Sequence, residues 1–160
     1  GTGEVTMKGD PRVLPVGKFL RKTKINELPQ LLNIFFGDMS VIGPRPLTAK
    51  TFVSYSTKTQ EVVKKVRPGL SGVGSIIFRD EEEIMHGELA SVDFYNSIIA
   101  PYKGSLEEWY VSNKGIYIYF LAIFITVWAV VFPSTKIAWS VFKDLPEPPV
   151  ELRQVLNYIK

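Results

Sequence analysis

The sequence predicts a mostly α-helical fold with a few short strands (α+β), associated with a membrane through an interfacial or spanning apolar helix. Three observations carry that reading. The chain has 160 residues, 46% hydrophobic and 22% charged, the balance of a globular domain with a buried core. Its helical patterns are short, and Gly, Pro or a capping residue punctuates each. From Gly115 to Thr135 run 21 residues without a charge, bracketed by Lys114 and Lys136.

In chain order, Gly1–Gly17 holds turn signals at Gly9-Asp10-Pro11 and Pro15 and no period long enough for a stable element. It starts abruptly, as the C-terminal part of a longer protein would, and shows no signal peptide. Residues 27–36 (ELPQLLNIFF) place Leu28, Leu31, Leu32 and Phe35 at helical spacing. Asn26 is a suitable N-cap, Pro29 falls in the first turn where its missing N–H costs little, and Gly37 closes the far end. Residues 38–46 (DMSVIGPRP) are extended, because a residue before proline is pushed out of the α region. A short basic helix is expected at 57–66, ended by Arg67-Pro68-Gly69. Leu70–Phe78 (LSGVGSIIF) reads as a strand, or as a Gly-rich turn followed by one. Asp80–Glu83 suits a helix start, and a further helix is expected over Val92–Ile99, ended by Pro101. Ser105-Leu106-Glu107-Glu108 has the capping-box pattern of a helix that ends near Asn113–Gly115.

The apolar run centres on Ile116–Phe132 (IYIYFLAIFITVWAVVF). As a helix the uncharged stretch would be roughly 31 Å long, about one hydrocarbon thickness. Tyr117, Tyr119 and Trp128 suit a membrane interface; a fully buried core helix inside a larger protein is the other reading. Beyond it, Asp144–Pro149 (DLPEPP) is a Pro-rich linker, and a terminal amphipathic helix places Leu152, Val155, Leu156 and Ile159 on one face.

No cysteine and a single histidine, His86, exclude a disulfide scaffold, a cysteine nucleophile and a multi-histidine metal site. His86 reads as a surface or partly buried residue rather than a base. What remains is carboxylate, basic-residue and oxygen-ligand chemistry. Residues 1–80 carry 13 Lys and Arg against 6 Asp and Glu, whereas 81–160 carry 6 against 10. A basic first half points to a nucleotide, a phosphate or an anionic membrane face. Nucleic acid would explain the basic half but not the apolar helix.

The basic residues concentrate before one helix. Lys18, Arg21, Lys22 and Lys24 precede it, and Glu27 stands in its first turn. A helix N-terminus offers free N–H groups and partial positive charge, and arginines fork around phosphate oxygens. A carboxylate beside a phosphate is reconciled by a bridging Mg²⁺. A solvated basic face with a capping Asn26 and a dipole-matched Glu27 stands beside that reading. Arg45, held between Pro44 and Pro46, presents its guanidinium from a stiff loop, and Arg67-Pro68-Gly69 repeats the device. Arg79-Asp80-Glu81-Glu82-Glu83 is either a metal-ligand source or a solvated helix start.

The run LRKTKINELPQLLNIFFGDMSVIGPRP resembles the signature of bacterial sugar transferases, the monotopic polyprenyl-phosphate phosphoglycosyl transferases. GDPRVLPVGKFLRK upstream, VRPGLSG downstream and PYKGSLEEWYVSN before the apolar run extend the resemblance over residues 8 to about 115. It implies transfer of a phosphosugar from a UDP-sugar to a polyprenyl phosphate, with release of UMP and with Mg²⁺, initiating a surface glycan. The implied location is the cytoplasmic face of the bacterial inner membrane, among membrane lipids; a homo-oligomer stays open. The resemblance divides the chain into a catalytic core at 1–115, a membrane-interacting helical region at 116–143 and the linker with its helix at 144–160.

In the family an Asp–Glu pair at a helix N-terminus performs the chemistry, the Asp attacking the β-phosphate and the Glu holding the metal. The pair falls on Asn26 and Glu27. Glu27 matches as Mg²⁺ ligand; Asn26 is a carboxamide where the family has a nucleophile. Either an Asp has been exchanged for Asn, or Glu27 or another carboxylate acts instead, or the chain is a non-catalytic membrane-bound module that binds nucleotide-sugar or lipid phosphate. Arg21, Lys22, Arg45 and Arg67 are the implied phosphate binders. The family's N-terminal re-entrant membrane segment would lie before Gly1.

Overall fold

The computed structural model describes residues 28–79, 91–132 and 136–158. It is mostly helical with one small parallel sheet, the α+β architecture expected. Helix α1 (Leu28–Phe36) carries Pro29 in its first turn. It stops at Gly37, whose φ of 87° is left-handed. Gly37 N–H donates to Ile34 O and Asp38 N–H to Asn33 O, at 3.1 and 2.8 Å, which is the paired closure of a Schellman end.

Strand β1 (Ser40–Ile42) follows at once. Helices α2 (Ala49–Phe52) and α3 (Thr57–Val63), capped by the hydroxyls of Thr48 and Ser56, form the crossover to strand β2 (Gly69–Ser71). The strands pair in parallel, Ser40 opposite Gly69 and Ile42 opposite Ser71. The α2 turn was not foreseen. The strand expected over Leu70–Phe78 survives only at its start: Val73–Ile77 is a short helix, α4. Val73, Ile76 and Ile77 are buried there, so tertiary packing overrides their β-branched preference.

The expected stop at Pro101 and start at Ser105 are both corrected. Helix α5 (Val92–Phe94), a π turn (Tyr95–Ile99) and helix α6 (Ala100–Asn113) follow one another without a break. Ala100 N–H reaches back to Tyr95 O, and the wider π turn makes room for the proline that follows it. Ser105 lies inside α6 and its Oγ donates to Tyr102 O at 2.7 Å.

Helix α6 is the centre of the molecule. Ala100, Tyr102, Leu106 and Tyr110 are buried along it. The Tyr110 hydroxyl donates to Ile42 O at 3.2 Å, tying α6 to β1. Lys58 and Thr59 on α3 both hold Glu108, at 2.7 and 2.5 Å.

The apolar run forms helix α7 (Ile116–Val131), 16 residues long. No helix of the described residues is long and apolar enough to cross a membrane, so a spanning α7 is not what the structure has. Ala122, Ile125 and Ala129 form its buried face. The same face makes polar contacts with the sheet: Ser40 Oγ with the Tyr119 hydroxyl at 3.3 Å, and Ser71 Oγ with Thr126 Oγ1 at 2.9 Å. The Arg79 guanidinium donates to the Ala129 carbonyl.

Helices α8 (Lys136–Val141) and α9 (Val150–Arg153) close the chain. Between them the proline-rich stretch is packed: Pro148 is fully buried, and the Tyr102 hydroxyl donates to Pro146 O at 2.8 Å. Leu152 and Leu156 are buried as their spacing indicates, though regular helix ends at Arg153. Trp139 Nε1 donates to Leu156 O at 3.1 Å. A single buried cluster runs from Ile42 to Leu156.

Candidate functional site

Of the residues singled out in the sequence, Arg21, Lys22, Asn26 and Glu27 lie outside the described residues, as do Asp80–Glu83 and His86. Arg45 and Arg67 are described, both exposed. Their backbones are brought together by glycines. Gly69 N–H donates to Pro44 O at 2.8 Å, and Gly43 N–H to Ser71 O at 2.9 Å. A Cβ on Gly69 would lie 2.1 Å from Gly43 N, and one on Gly43 would lie 2.6 Å from Arg67 O. Only two residues without side chains can meet so closely. The Arg67 guanidinium in turn lies beside Gly37, 3.6 Å from where a Cβ would stand. The two Arg-Pro devices, 22 residues apart in the sequence, therefore rise from touching segments.

Arg45 is anchored from below. Its backbone N–H donates to the Glu107 carboxyl group on α6. Glu107 is 3% exposed. Burial pushes it up to about 8, while the Arg45 amide and the charge of Lys103 pull the other way. It is a neutral acid over most of the physiological range. Glu108, next to it, is held below the usual carboxylate range, first by the hydrogen bond from Lys58 and then by that from Thr59.

Sequence reasoning missed Glu107, which it read as part of a cap. The available signal was its place in the apolar stripe: it follows Leu106 and precedes Trp109 and Tyr110 on the same helix. Arg79, considered there as part of a metal-ligand run, instead holds the α7 backbone.

Two exposed apolar surfaces flank this cationic region in sequence. On α1 they are Leu31, Leu32, Phe35 and Phe36, with Phe35 83% exposed. On α7 they are Ile116, Tyr117, Phe120, Phe124, Val127 and Val131. Apolar side chains this exposed and this numerous mark an interaction surface rather than scattered exceptions.

Among the described residues no three His, Cys, Asp or Glu side chains gather as a metal cage. Mg²⁺ requires no such cage, since one or two carboxylates and the substrate's phosphates hold it elsewhere.

A family model described as bacterial sugar transferase matches residues 1–133. The chain is 33% identical over 107 residues to an undecaprenyl-phosphate galactose phosphotransferase of Salmonella typhimurium, covering 67% of this chain and 19% of that protein. It is 35% identical over 122 residues to a UDP-N-acetylgalactosamine-undecaprenyl-phosphate N-acetylgalactosaminephosphotransferase of Aeromonas hydrophila, covering 74% and 26%. With a UDP-glucose:undecaprenyl-phosphate glucose-1-phosphate transferase of Klebsiella pneumoniae it shares 46% over 71 residues, 43% of this chain and 15% of the other. The chain thus spans about a quarter or less of the length of these relatives. Since the matched segment takes in the α1 pattern, both Arg-Pro turns and the apolar helix together, the chain belongs to the bacterial sugar transferase family.

Proposed function

We propose that the chain is the catalytic part of a phosphoglycosyl transferase that moves a phosphosugar from a UDP-sugar to a polyprenyl phosphate at the cytoplasmic face of the bacterial inner membrane. The observation that carries this is the pairing of Arg45 and Arg67 on touching, proline-stiffened backbones within a protein whose α1 and α7 expose apolar faces. Two guanidinium groups carried on stiffened, adjoining backbones can fork around the oxygens of a diphosphate, and an apolar face suits a substrate that lives in lipid. Relatives named for undecaprenyl phosphate and for galactose, glucose or N-acetylgalactosamine support the same substrate classes.

In this reading Arg45 and Arg67 bind the phosphates, hold them against departure and offset charge that develops on the leaving UMP. Glu27, with the diphosphate, would hold Mg²⁺, whose charge assists phosphoryl transfer. Asn26 stands at the nucleophile position, and its side chain can hydrogen-bond a phosphate but has no carboxylate to attack with. The basic residues Arg21 and Lys22 add to the phosphate site and to attraction toward anionic headgroups, worth about 1 kcal/mol per well-placed cation.

The test is UMP release by the protein in detergent with Mg²⁺, undecaprenyl phosphate and UDP-galactose, UDP-glucose or UDP-N-acetylgalactosamine. The protein as it stands and Asn26→Asp are run side by side. Turnover by either supports the transferase. Turnover by the first sends the search for a nucleophile to Glu27, and turnover only by the second shows a site disarmed at one functional group. Silence from both across the panel overturns the proposal.

A further inference from the structure

Arg45 sits between two residues that have no backbone N–H, so the Pro44–Arg45–Pro46 turn offers the protein a single amide donor. One handle on the turn is the Pro44 carbonyl, which accepts from Gly69 N–H at 2.8 Å. The other is the Arg45 N–H, and it goes inward to Glu107. Glu107 is shaped for this contact. Gly74 leaves room for it, since a Cβ there would lie 2.5 Å from Oε1. Its Oε2 and the Ser75 hydroxyl are both buried with no hydrogen-bond partner. Arg45, Ser75, Lys103 and Glu107 share the lining of a cavity of about 20 Å³. Lys103, one turn earlier on α6, lies over the Phe78 and Tyr95 rings, 5.0 and 5.6 Å from their centroids. A carboxyl group placed this deep is costly, and such groups persist where they hold something in position.

We propose that Glu107 is the positioning residue for Arg45: from inside the protein it pins the Pro-Arg-Pro turn, and so fixes where the guanidinium meets the phosphates. This rests on Arg45 being a phosphate binder, as proposed above. The protonated carboxyl group serves as an acceptor without adding charge under the turn. Once ionised it places a negative charge beneath the turn, partly offset by Lys103, and opposes an anionic ligand bound above it. The groups facing it are Arg45 from the loop, Tyr55 across the cavity, and Lys103 and Tyr110 on α6.

The test is the dissociation constant of UDP, measured by calorimetry from about pH 6.5 to about 9.5, for the unaltered protein, Glu107→Gln, Glu107→Ala and Arg45→Ala. The ligand's own titration is common to all four and cancels between them. Glu107→Gln is expected to bind within about 2-fold of the unaltered protein near pH 7 and to lack its extra weakening at alkaline pH. Glu107→Ala, which loses the anchor, is expected to bind about 10-fold more weakly. Binding by a folded Glu107→Ala as tight as the original overturns the proposal. So does a Glu107→Gln curve that runs parallel to the original at every pH, and that comparison decides the matter if Glu107→Ala does not fold. Unchanged affinity in Arg45→Ala overturns the phosphate-binding reading itself. Weakening in Arg45→Ala with parallel Glu107 curves overturns only the positioning role.

Discussion

Arg45 and Arg67 differ from a solvated lysine on a helix face in what holds their backbones. Proline fixes φ beside each, and the glycine contact between Gly43 and Gly69 leaves the segments no slack. Gly69→Ala is therefore expected to destabilise the protein by about 3 kcal/mol, because its Cβ would meet backbone atoms that cannot yield. For a chain of this length that lowers Tm by roughly 6–12 °C. Gly37→Ala meets only a flexible arginine side chain but retains the left-handed φ, and about 1 kcal/mol is expected. Thermal unfolding of both variants checks the ranking; a Gly69→Ala protein as stable as Gly37→Ala would show that the two loops can part. The arginines and their prolines were legible in the sequence, since stiffness follows from local covalent structure. Their proximity was not, because a parallel pairing across a long crossover leaves no local trace.

Among the elements, α1 was readable because Pro29 and Gly37 agree with the apolar spacing between them, and α3 because Arg67-Pro68-Gly69 marks a stop after a short basic run. Helix α6 was not, for an opposite reason: Pro101 and the Ser105 pattern are strong local signals for a break, and the π turn with the packing of Ala100, Leu106 and Tyr110 outweighs them. Helix α7 was legible in place but not in its two-sidedness. Its mean composition is apolar all round, yet Ala122, Ile125 and Ala129 face the core while Phe120 and Phe124 face outward. Changing both outward phenylalanines to Glu should weaken binding to phosphatidylglycerol vesicles by at least 10-fold, given roughly 1.5–3 kcal/mol for each buried aromatic side chain. Flotation assays measure this, with circular dichroism expected to stay unchanged. Ala122→Leu, on the inner face, should instead lower Tm and leave vesicle binding in place. Equal flotation by the double variant and the original protein would exclude α7 as the contact surface.

At the scale of the whole molecule, the buried Glu107 gives folding stability a definite pH dependence. Its native value of about 8 lies above the ordinary 4.5, so the native state holds a proton that the unfolded chain releases between those limits. The stabilisation is fully present below about 4.5, declines as pH rises, and levels off above about 8. The slope is on the order of 1 kcal/mol per pH unit for one buried group. Glu107→Gln should flatten that part of the profile, so urea midpoints of the two proteins should diverge as pH is raised from 5 to 8, with the variant the more stable at the upper end. Parallel profiles would mean that Glu107 is ionised in the native protein.

The hydroxyl contacts between α7 and the sheet have a geometric consequence. Ser40 and Ser71 lie on the two strands that lead into or out of the arginine turns, and both grip the inner side of α7. Were the outer side of that helix to rest at the edge of the hydrocarbon, as the proposed function requires, the strands would stand about one helix diameter above it, roughly 10 Å. The polar headgroup layer occupies about 5–7 Å on each side of the hydrocarbon core. On the membrane-bound reading proposed above, the domain would serve as a height gauge. A phosphate on a long-chain lipid would meet the arginines close to its resting depth, with its tail still in the bilayer.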